Sequence, residues 1–141
     1  MRFSPDGLWL ASGGDDGLVK LWDVRVGRQL QEFSDHTAPV LAVEFHPHEF
    51  LLASGSMDKT VNFWDLENFQ LVSTTEKDTG PIRCLHFSPE GECLYAGVED
   101  YLKVYAWEPA RTLDSVSTNW GKIQDIVKTP NQLVSWNFKF F

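Results

Sequence analysis

Short apolar runs alternate with turn residues along the chain. The run at residues 40–45, Val-Leu-Ala-Val-Glu-Phe, has the length of a strand and lies between Pro39 and Pro47. It shows little of the 3.6-residue period of an amphipathic helix. Runs of similar length occupy residues 8–13, 18–23 and 27–33. The pattern predicts short β-strands and no long helix.

Turn signals separate these runs. Residues 4–7 (Ser-Pro-Asp-Gly) and 88–91 (Ser-Pro-Glu-Gly) combine a proline, which fixes φ, with a glycine, which tolerates positive φ. Residues 15–17 (Asp-Asp-Gly) supply a second turn. The runs and turns together therefore predict units of four antiparallel strands.

The unit repeats every 42 residues. Phe-x-Pro begins at Phe3, Phe45 and Phe87. Residues 3–24 and 45–66 share Phe, Pro, Leu, Ala, Ser, Gly, Asp, Val, Trp and Asp in register, and residues 87–108 keep fewer of these. A period of this length built from short strands is typical of a radially repeated sheet, a β-propeller.

Charge narrows the range of partners. The 141 residues carry a formal net charge of −8, which disfavours nucleic-acid and anionic-membrane binding, because both need clustered positive charge. No secretory signal or membrane-spanning run is seen, and the two cysteines, Cys84 and Cys93, suit a reducing cytoplasm. Counting outward from residues 88–91 places Cys84 near Tyr95 and not opposite Cys93, so we expect no disulfide.

Residues 35–36 (Asp-His), 53–55 (Ala-Ser-Gly) and 64–65 (Trp-Asp), together with Asp58, resemble the WD-repeat β-propeller family. The resemblance implies an all-β fold: a partial WD-repeat propeller of about three four-stranded antiparallel blades plus an incomplete fourth. We expect one domain over residues 1–141, with repeat units near 3–24, 45–66 and 87–108 and a degenerate fourth at 121–138. Since closed rings have more blades than this, we expect a piece of a ring that self-associates through its open flanks.

The family also implies a structural hydrogen-bond network, in which Asp orients His, His meets Ser, and Ser meets the Trp indole N–H. The positions that match in this sequence are His36, Ser54, Asp58 and Trp64, with Ser12, Asp16 and Trp22 in the first repeat. The third repeat departs from the pattern, with Asp78, Ala96 and Ala106 in place of His, Ser and Trp and only Asp100 retained.

A hydrolase using His36, Ser54 and Asp58 is the alternative from another functional class, but the sequence has no nucleophile-elbow motif. His46 and His48 lack further ligands for a metal, so we expect solvated histidines there. No phosphate-binding loop is present. We therefore expect no catalytic residue, cofactor or metal.

Three stretches, the most discriminating being residues 104–112 (Val-Tyr-Ala-Trp-Glu-Pro-Ala-Arg-Thr), are similar to the WD-repeat regulatory subunits of the microtubule-severing enzyme katanin. That resemblance implies a non-enzymatic scaffold that targets and regulates severing in the cytoplasm and cytoskeleton, at centrosomes and spindle poles. Implied partners are tubulin or microtubules, centrosomal proteins, and the katanin catalytic ATPase subunit through a region absent from this chain. The alternative is a generic WD-repeat adaptor, such as a ubiquitin-ligase substrate receptor or a ciliary scaffold. Candidate partner-binding residues are Met57, Lys59 and Tyr101, which replace commoner turn residues.

Overall fold

The computed structural model describes residues 1–121, 124–128 and 133–136 and contains four sheets. Blade 1 consists of β1 (Arg2–Phe3), β2 (Trp9–Gly13), β3 (Val19–Asp23) and β4 (Arg28–Phe33). Blade 2 consists of β5 (Val40–Phe45), β6 (Leu51–Ser56), β7 (Val61–Asp65) and β8 (Gln70–Thr74).

Blade 3 consists of β9 (Cys84–Phe87), β10 (Leu94–Val98), β11 (Tyr101–Trp107) and β12 (Ala110–Ser117). A fourth sheet pairs β13 (Asp125–Lys128) with β14 (Leu133–Trp136). Strands within every sheet are antiparallel and follow chain order. This architecture confirms the predicted all-β partial propeller, with three four-stranded blades and an incomplete fourth. Among the described residues there is no helix with the length and apolar character that a membrane crossing requires.

The blades pack face to face because each strand sends alternate residues to opposite sides. In β7, Val61 and Phe63 join the core shared with blade 3, whereas Trp64 joins the core shared with blade 1. The ring of Phe33, at the end of β4, stacks on that of Trp64 with 4.5 Å between centroids. Each blade is therefore kept dry by its neighbour.

The innermost strands of three blades are joined by one cation. The guanidinium of Arg2 on β1 lies 3.3 Å from the carboxylate of Glu44 on β5 and 3.5 Å from that of Asp125 on β13. Burial raises the pKa of Glu44 to about 7, and the charge of Arg2 offsets only part of that effect.

All three blades carry a β-bulge between the third and fourth strands. It falls immediately before Trp22, Trp64 and Tyr105, which pair across to Leu10, Leu52 and Leu94. Tyr105 thus occupies the tryptophan position of blade 3, and the expectation that Ala106 does so is wrong.

A shorter turn explains the shift in blade 3. Gly55 pairs with Val61 in blade 2, but Gly97 pairs with Leu102 in blade 3, so the β10–β11 connection is one residue shorter than β6–β7. Residues up to Gly97 lie 42 positions after their equivalents in blade 2, whereas Tyr105 lies 41 positions after Trp64.

The two cysteines are free thiols, but their expected strand positions need correction. Cys84 pairs with Gly97, and Tyr95 faces His86. The prediction centred the turn on residues 88–91, but the connection between Phe87 and Leu94 spans residues 88–93. Each predicted pairing is therefore two positions too short.

Candidate functional site

A continuous chain of hydrogen bonds links four side chains of blade 2 and the loop that leads into it. The indole Nε1–H of Trp64 donates to the Ser54 hydroxyl over 2.8 Å, and that hydroxyl lies 2.7 Å from Nε2 of His36. On the other side of the imidazole, Nδ1 lies 2.8 Å from Oδ2 of Asp58. Because the carboxylate only accepts, Nδ1 carries the hydrogen, and Nε2 of a neutral imidazole accepts from Ser54. The structure brings together all four of the residues chosen from the sequence.

Position along the strands explains the convergence. Ser54 lies opposite Asn62 on β6 and β7, two residue pairs from Trp64 and on the same face of the sheet, while His36 arrives from the loop that leads into β5. Asp58 lies in the turn between β6 and β7 and accepts the N–H of Thr37 over 3.2 Å and that of Thr60 over 2.9 Å. The chain therefore ties the β6–β7 turn to the loop that enters the blade.

Charge at the Asp58 end is stabilised by its donors. Burial tends to raise the pKa of the Asp58 carboxyl, but the hydrogen bonds from Thr60 and His36 outweigh burial, and that pKa is lowered. The carboxylate form therefore belongs to the folded blade, as a fixed acceptor for its neighbours.

Burial defines what this arrangement does chemically. Ser54 has no exposed surface and Trp64 is 1% exposed. A substrate carbonyl has no route to the Ser54 hydroxyl, and hydrolase triads need such a route. The geometry excludes the hydrolase alternative for His36, Ser54 and Asp58. It fits a buried polar network that fixes the packing of the blade.

Blade 1 contains a shortened version of the chain. The Nε1–H of Trp22 donates to Ser12 over 3.1 Å, and both side chains are half-buried. Asp16 is not joined to them. Its Oδ1 accepts the N–H of Leu18 over 3.0 Å and fixes the β2–β3 turn.

Blade 3 uses different residues at the same place, which sequence analysis missed. The hydroxyl of Tyr105, at the tryptophan position, donates directly to Asp78, which stands where blade 2 has His36. Lys103 Nζ lies 3.4 Å from the same carboxylate. The longer reach of a tyrosine hydroxyl removes the need for the serine, which is Ala96 here.

Electrostatics in blade 3 resemble those of blade 2. Burial raises the pKa of Asp78, but donation from Tyr105 and Thr79 and the charge of Lys103 outweigh it, so that pKa is lowered. Burial and the hydrogen bond to Asp78 raise the pKa of Tyr105. Asp100 keeps a role between blades, since its carboxylate accepts the N–H of Gly121 over 2.7 Å.

The expectation of solvated histidines is wrong for His46, whereas His48 is exposed as expected. His46 is 2% exposed, its ring packs against those of Phe87 and Trp107, and its Nε2 donates to the carbonyl of Gly91 over 2.9 Å. The neighbouring aromatic rings come from blade 3, so adjacent sequence does not reveal this burial. Within the described ranges, no three His, Cys, Asp or Glu side chains converge as metal ligands.

The three candidate partner-binding residues lie at one face of the blades: Met57 and Lys59 in the β6–β7 turn, and Tyr101 at the start of β11. Met57 is 45% exposed and Tyr101 is 39% exposed. Lys59 is also exposed and has φ of 72°, whereas blade 1 has Gly17 with φ of 80° at the matching position. A side chain at positive φ costs about 1–2 kcal/mol, so Lys59 is held in this conformation by the anchored turn around it.

One family model and several curated proteins match the sequence. The model described as "WD domain, G-beta repeat" matches residues 1–23, 27–65 and 69–105. The chain is 54% identical over 48 residues to "Katanin p80 WD40 repeat-containing subunit B1" of Gallus gallus, a match that covers 34% of this chain and 7% of that protein.

Other WD proteins match over similar lengths. "Ribosome biogenesis protein erb1" of Aspergillus fumigatus is 46% identical over 48 residues, covering 33% of this chain and 6% of that protein. "Periodic tryptophan protein 2 homolog" of Dictyostelium discoideum is 43% identical over 47 residues, covering 33% of this chain and 5% of that protein. These matches span less than a tenth of each relative's length. The repeats, the bulged third strands and the family match together show that the chain belongs to the WD domain, G-beta repeat family, whose folds are typically protein-interaction scaffolds.

Proposed function

We propose that this chain is a non-enzymatic interaction module of a katanin-type regulatory subunit, which targets and regulates microtubule severing. The observation that carries the proposal is the 54% identity over 48 residues to the katanin p80 subunit. The Tyr-x-Trp-Glu-Pro stretch at residues 105–109 adds a second point of similarity. By that similarity, the chain works in the cytoplasm and cytoskeleton, at centrosomes and spindle poles.

The mechanism is rigid display of side chains. The buried chain from Trp64 to Asp58 fixes the β6–β7 turn, and that turn presents Met57 and Lys59 to solvent. A fixed turn loses little conformational entropy on binding, which favours a partner that contacts it. Tyr101 presents a third exposed side chain at the start of β11.

Charge favours protein scaffolding over direct tubulin contact. The net charge of −8 opposes binding to an acidic microtubule surface. Lys103 is engaged by Asp78 and is mostly buried, whereas Lys59 is exposed. Of these two lysines, Lys59 is therefore the better placed for a local contact, and centrosomal proteins are the favoured partners.

We further propose that residues 1–141 act as one domain, with repeat units near 3–24, 45–66 and 87–108 and a fourth at 121–138. Part of that fourth unit lies outside the described residues. The katanin catalytic ATPase subunit would be bound outside these repeat units, as the family resemblance implies. The isolated chain is expected to self-associate through its apolar flanks.

A second candidate is a WD-repeat scaffold of ribosome assembly. It is favoured by the 46% identity to a ribosome biogenesis protein, over the same share of this chain as the katanin match. A ubiquitin-ligase or ciliary adaptor has the same fold but no named relative among those compared above.

Affinity purification of the tagged chain from cells, with mass spectrometry of the captured proteins, tests these proposals. The katanin-type function predicts capture of centrosomal and spindle-pole proteins without the catalytic ATPase. Lys59→Glu should abolish this capture, and Arg28→Glu, an equal charge change on the outer strand β4, should leave it intact. Capture of pre-ribosomal proteins in place of centrosomal ones would overturn the first proposal and support the second.

A further inference from the structure

Blades 1 and 2 leave an open pocket between them, on the face opposite the Asp58 turn. The connections β1–β2 and β5–β6 form its edges, and successive connections in an antiparallel blade lie at opposite faces. Its volume is about 140 Å³. The lining combines four large apolar side chains with polar groups at the mouth: Trp9, Phe45, Phe50, Leu66, Ser4, Asp6, His48 and Glu49.

The matching space between blades 2 and 3 is bridged by imidazoles. Nε2 of His46 donates to the carbonyl of Gly91, and Nε2 of His48 lies 2.9 Å from that of Pro89. At the corresponding positions 42 residues earlier, blade 1 has Ser4 and Asp6. These shorter side chains bond to each other over 2.5 Å within their own loop and do not cross to blade 2. The first blade pair thus lacks the imidazole bridges that cross between blades 2 and 3.

The edges of the pocket are held in place before any ligand arrives. Nδ1 of the buried His46 accepts the N–H of His48 over 3.0 Å and that of Glu49 over 2.9 Å. On the other edge, Asp6 accepts the N–H of Leu8 over 3.0 Å. Because these loops are fixed by hydrogen bonds, little ordering is required on binding.

Size and lining indicate the kind of group that fits. Small-molecule sites span about 300–1,000 Å³, so this pocket suits a single side chain. The rings of Trp9 and Phe50 lie 6.2 Å apart, and Phe50 is 59% exposed, so the wall is apolar and accessible. Aromatic-lined pockets of this kind anchor one large apolar side chain.

Charge at the mouth indicates what stands beside that side chain. Asp6 and Glu49 are both exposed there, and the hydrogen bonds from Ser4 and Leu8 lower the pKa of Asp6. Of the described residues that line the pocket, none is a lysine or arginine. The guanidinium of Arg25, whose charge contributes to lowering the pKa of Asp6, is engaged mainly by Asp23 at 3.0 Å. The two carboxylates therefore give the mouth of the pocket a net negative charge.

We propose that this pocket is a docking site for a segment of a partner protein in which one large apolar side chain is flanked by lysine or arginine. The apolar side chain packs against the wall formed by Trp9 and Phe50, and its basic neighbours meet Asp6 and Glu49. The site lies on the opposite face from Lys59 and stands independently of the katanin-type function.

Fluorescence polarisation with fluorescein-labelled synthetic peptides tests the proposal on the full chain. The probe is Gly-Lys-Phe-Lys-Gly, and the matched controls are Gly-Lys-Ala-Lys-Gly and Gly-Glu-Phe-Glu-Gly. The probe should bind saturably, weaken with added salt, and bind at least about tenfold more tightly than either control. Equal binding of either control, or no saturable binding of the probe at millimolar concentration, would overturn the proposal.

Variants locate the binding to the pocket. Phe50→Ala should weaken the probe about tenfold, and the pair Asp6→Asn with Glu49→Gln should weaken it and remove its salt dependence. The second variant keeps the apolar wall, so a folding defect in one does not obscure the other. Lys59→Ala, on the opposite face, should leave affinity unchanged. Unchanged affinity in both pocket variants would contradict the assignment, as would loss of peptide binding when the chain self-associates at higher concentration, which would show that a second copy occupies the pocket.

Discussion

Replacing Ser54 with alanine tests the buried chain of blade 2 most sharply. The substitution removes one oxygen that accepts from Trp64 and donates to His36, and both of those groups are buried. Each buried polar group left without a partner costs about 1–3 kcal/mol. Ser54→Ala should therefore lower the free energy of unfolding by about 2–5 kcal/mol.

Blade 1 offers a matched control for the same change. Ser12 occupies the equivalent position and accepts from Trp22 over 3.1 Å, but both side chains are half-buried. Water can reach a half-buried site and replace the lost hydroxyl, so Ser12→Ala should cost less than about 1 kcal/mol. The same atom is deleted in both variants, and only the surroundings differ.

Urea titration of the two variants and the parent, followed by tryptophan fluorescence and far-ultraviolet circular dichroism, supplies the three unfolding free energies. The slope with urea should be unchanged, because the blades remain assembled. Equal losses for Ser54→Ala and Ser12→Ala, or a loss below about 1 kcal/mol for Ser54→Ala, would refute the argument that burial makes this chain costly to break.

Three further predictions concern other parts of the molecule. Tyr105→Phe should cost about 1–2 kcal/mol at neutral pH. It should also move acid unfolding to higher pH, because the lowered pKa of Asp78 contributes stability that is lost as pH falls, and an unchanged acid midpoint would contradict this. Burial raises the pKa of Glu44 from 4.5 to about 7, so the free energy of unfolding declines as pH rises through that interval. Glu44→Gln should therefore stabilise the fold by up to about 3 kcal/mol at pH 8 and by little at pH 5, measured by urea titration. Equal effects at the two pH values would refute this prediction. Lys59→Gly should change the free energy of unfolding by less than about 1 kcal/mol, because relief at φ of 72° offsets the added chain entropy, and a larger loss in thermal unfolding would count against the strain.

Much of the fold follows from local pattern. The run at residues 40–45 becomes β5, Val40–Phe45, without change of bounds, because a strand bordered by prolines leaves little choice of register. The period also places Ser12 and Ser54 at equivalent positions in their blades. Local sequence and spacing are therefore sufficient to predict the strands and equivalent positions wherever the blades keep the 42-residue spacing.

The count fails where one residue is missing. Deletion in the β10–β11 connection moves Tyr105, not Ala106, into the tryptophan position, and the pairing with Asp78 becomes visible only in three dimensions. The sequence does contain a signal. In the third repeat Asp78 stands at the position of His36, and Tyr105 immediately precedes the position where tryptophan was expected. Recognising it requires considering both substitutions together.

Contacts between blades were the least accessible to sequence analysis. Burial of His46 depends on Phe87, Trp107 and the carbonyl of Gly91, all from the following blade. The pocket between blades 1 and 2 depends on the absence of similar bridges at Ser4 and Asp6. Both features are set by packing between neighbouring repeats, which the pattern within one repeat does not encode.

Hydrogen exchange of the indole N–H groups, followed by nuclear magnetic resonance, tests most directly whether neighbouring blades seal the core of each sheet. Trp64 should exchange only through opening of the packed blades and be protected by several orders of magnitude, because its N–H is bonded to Ser54 and covered by Phe33. Trp22, half-exposed on blade 1, should exchange much faster. Similar exchange rates for Trp64 and Trp22 would contradict the account.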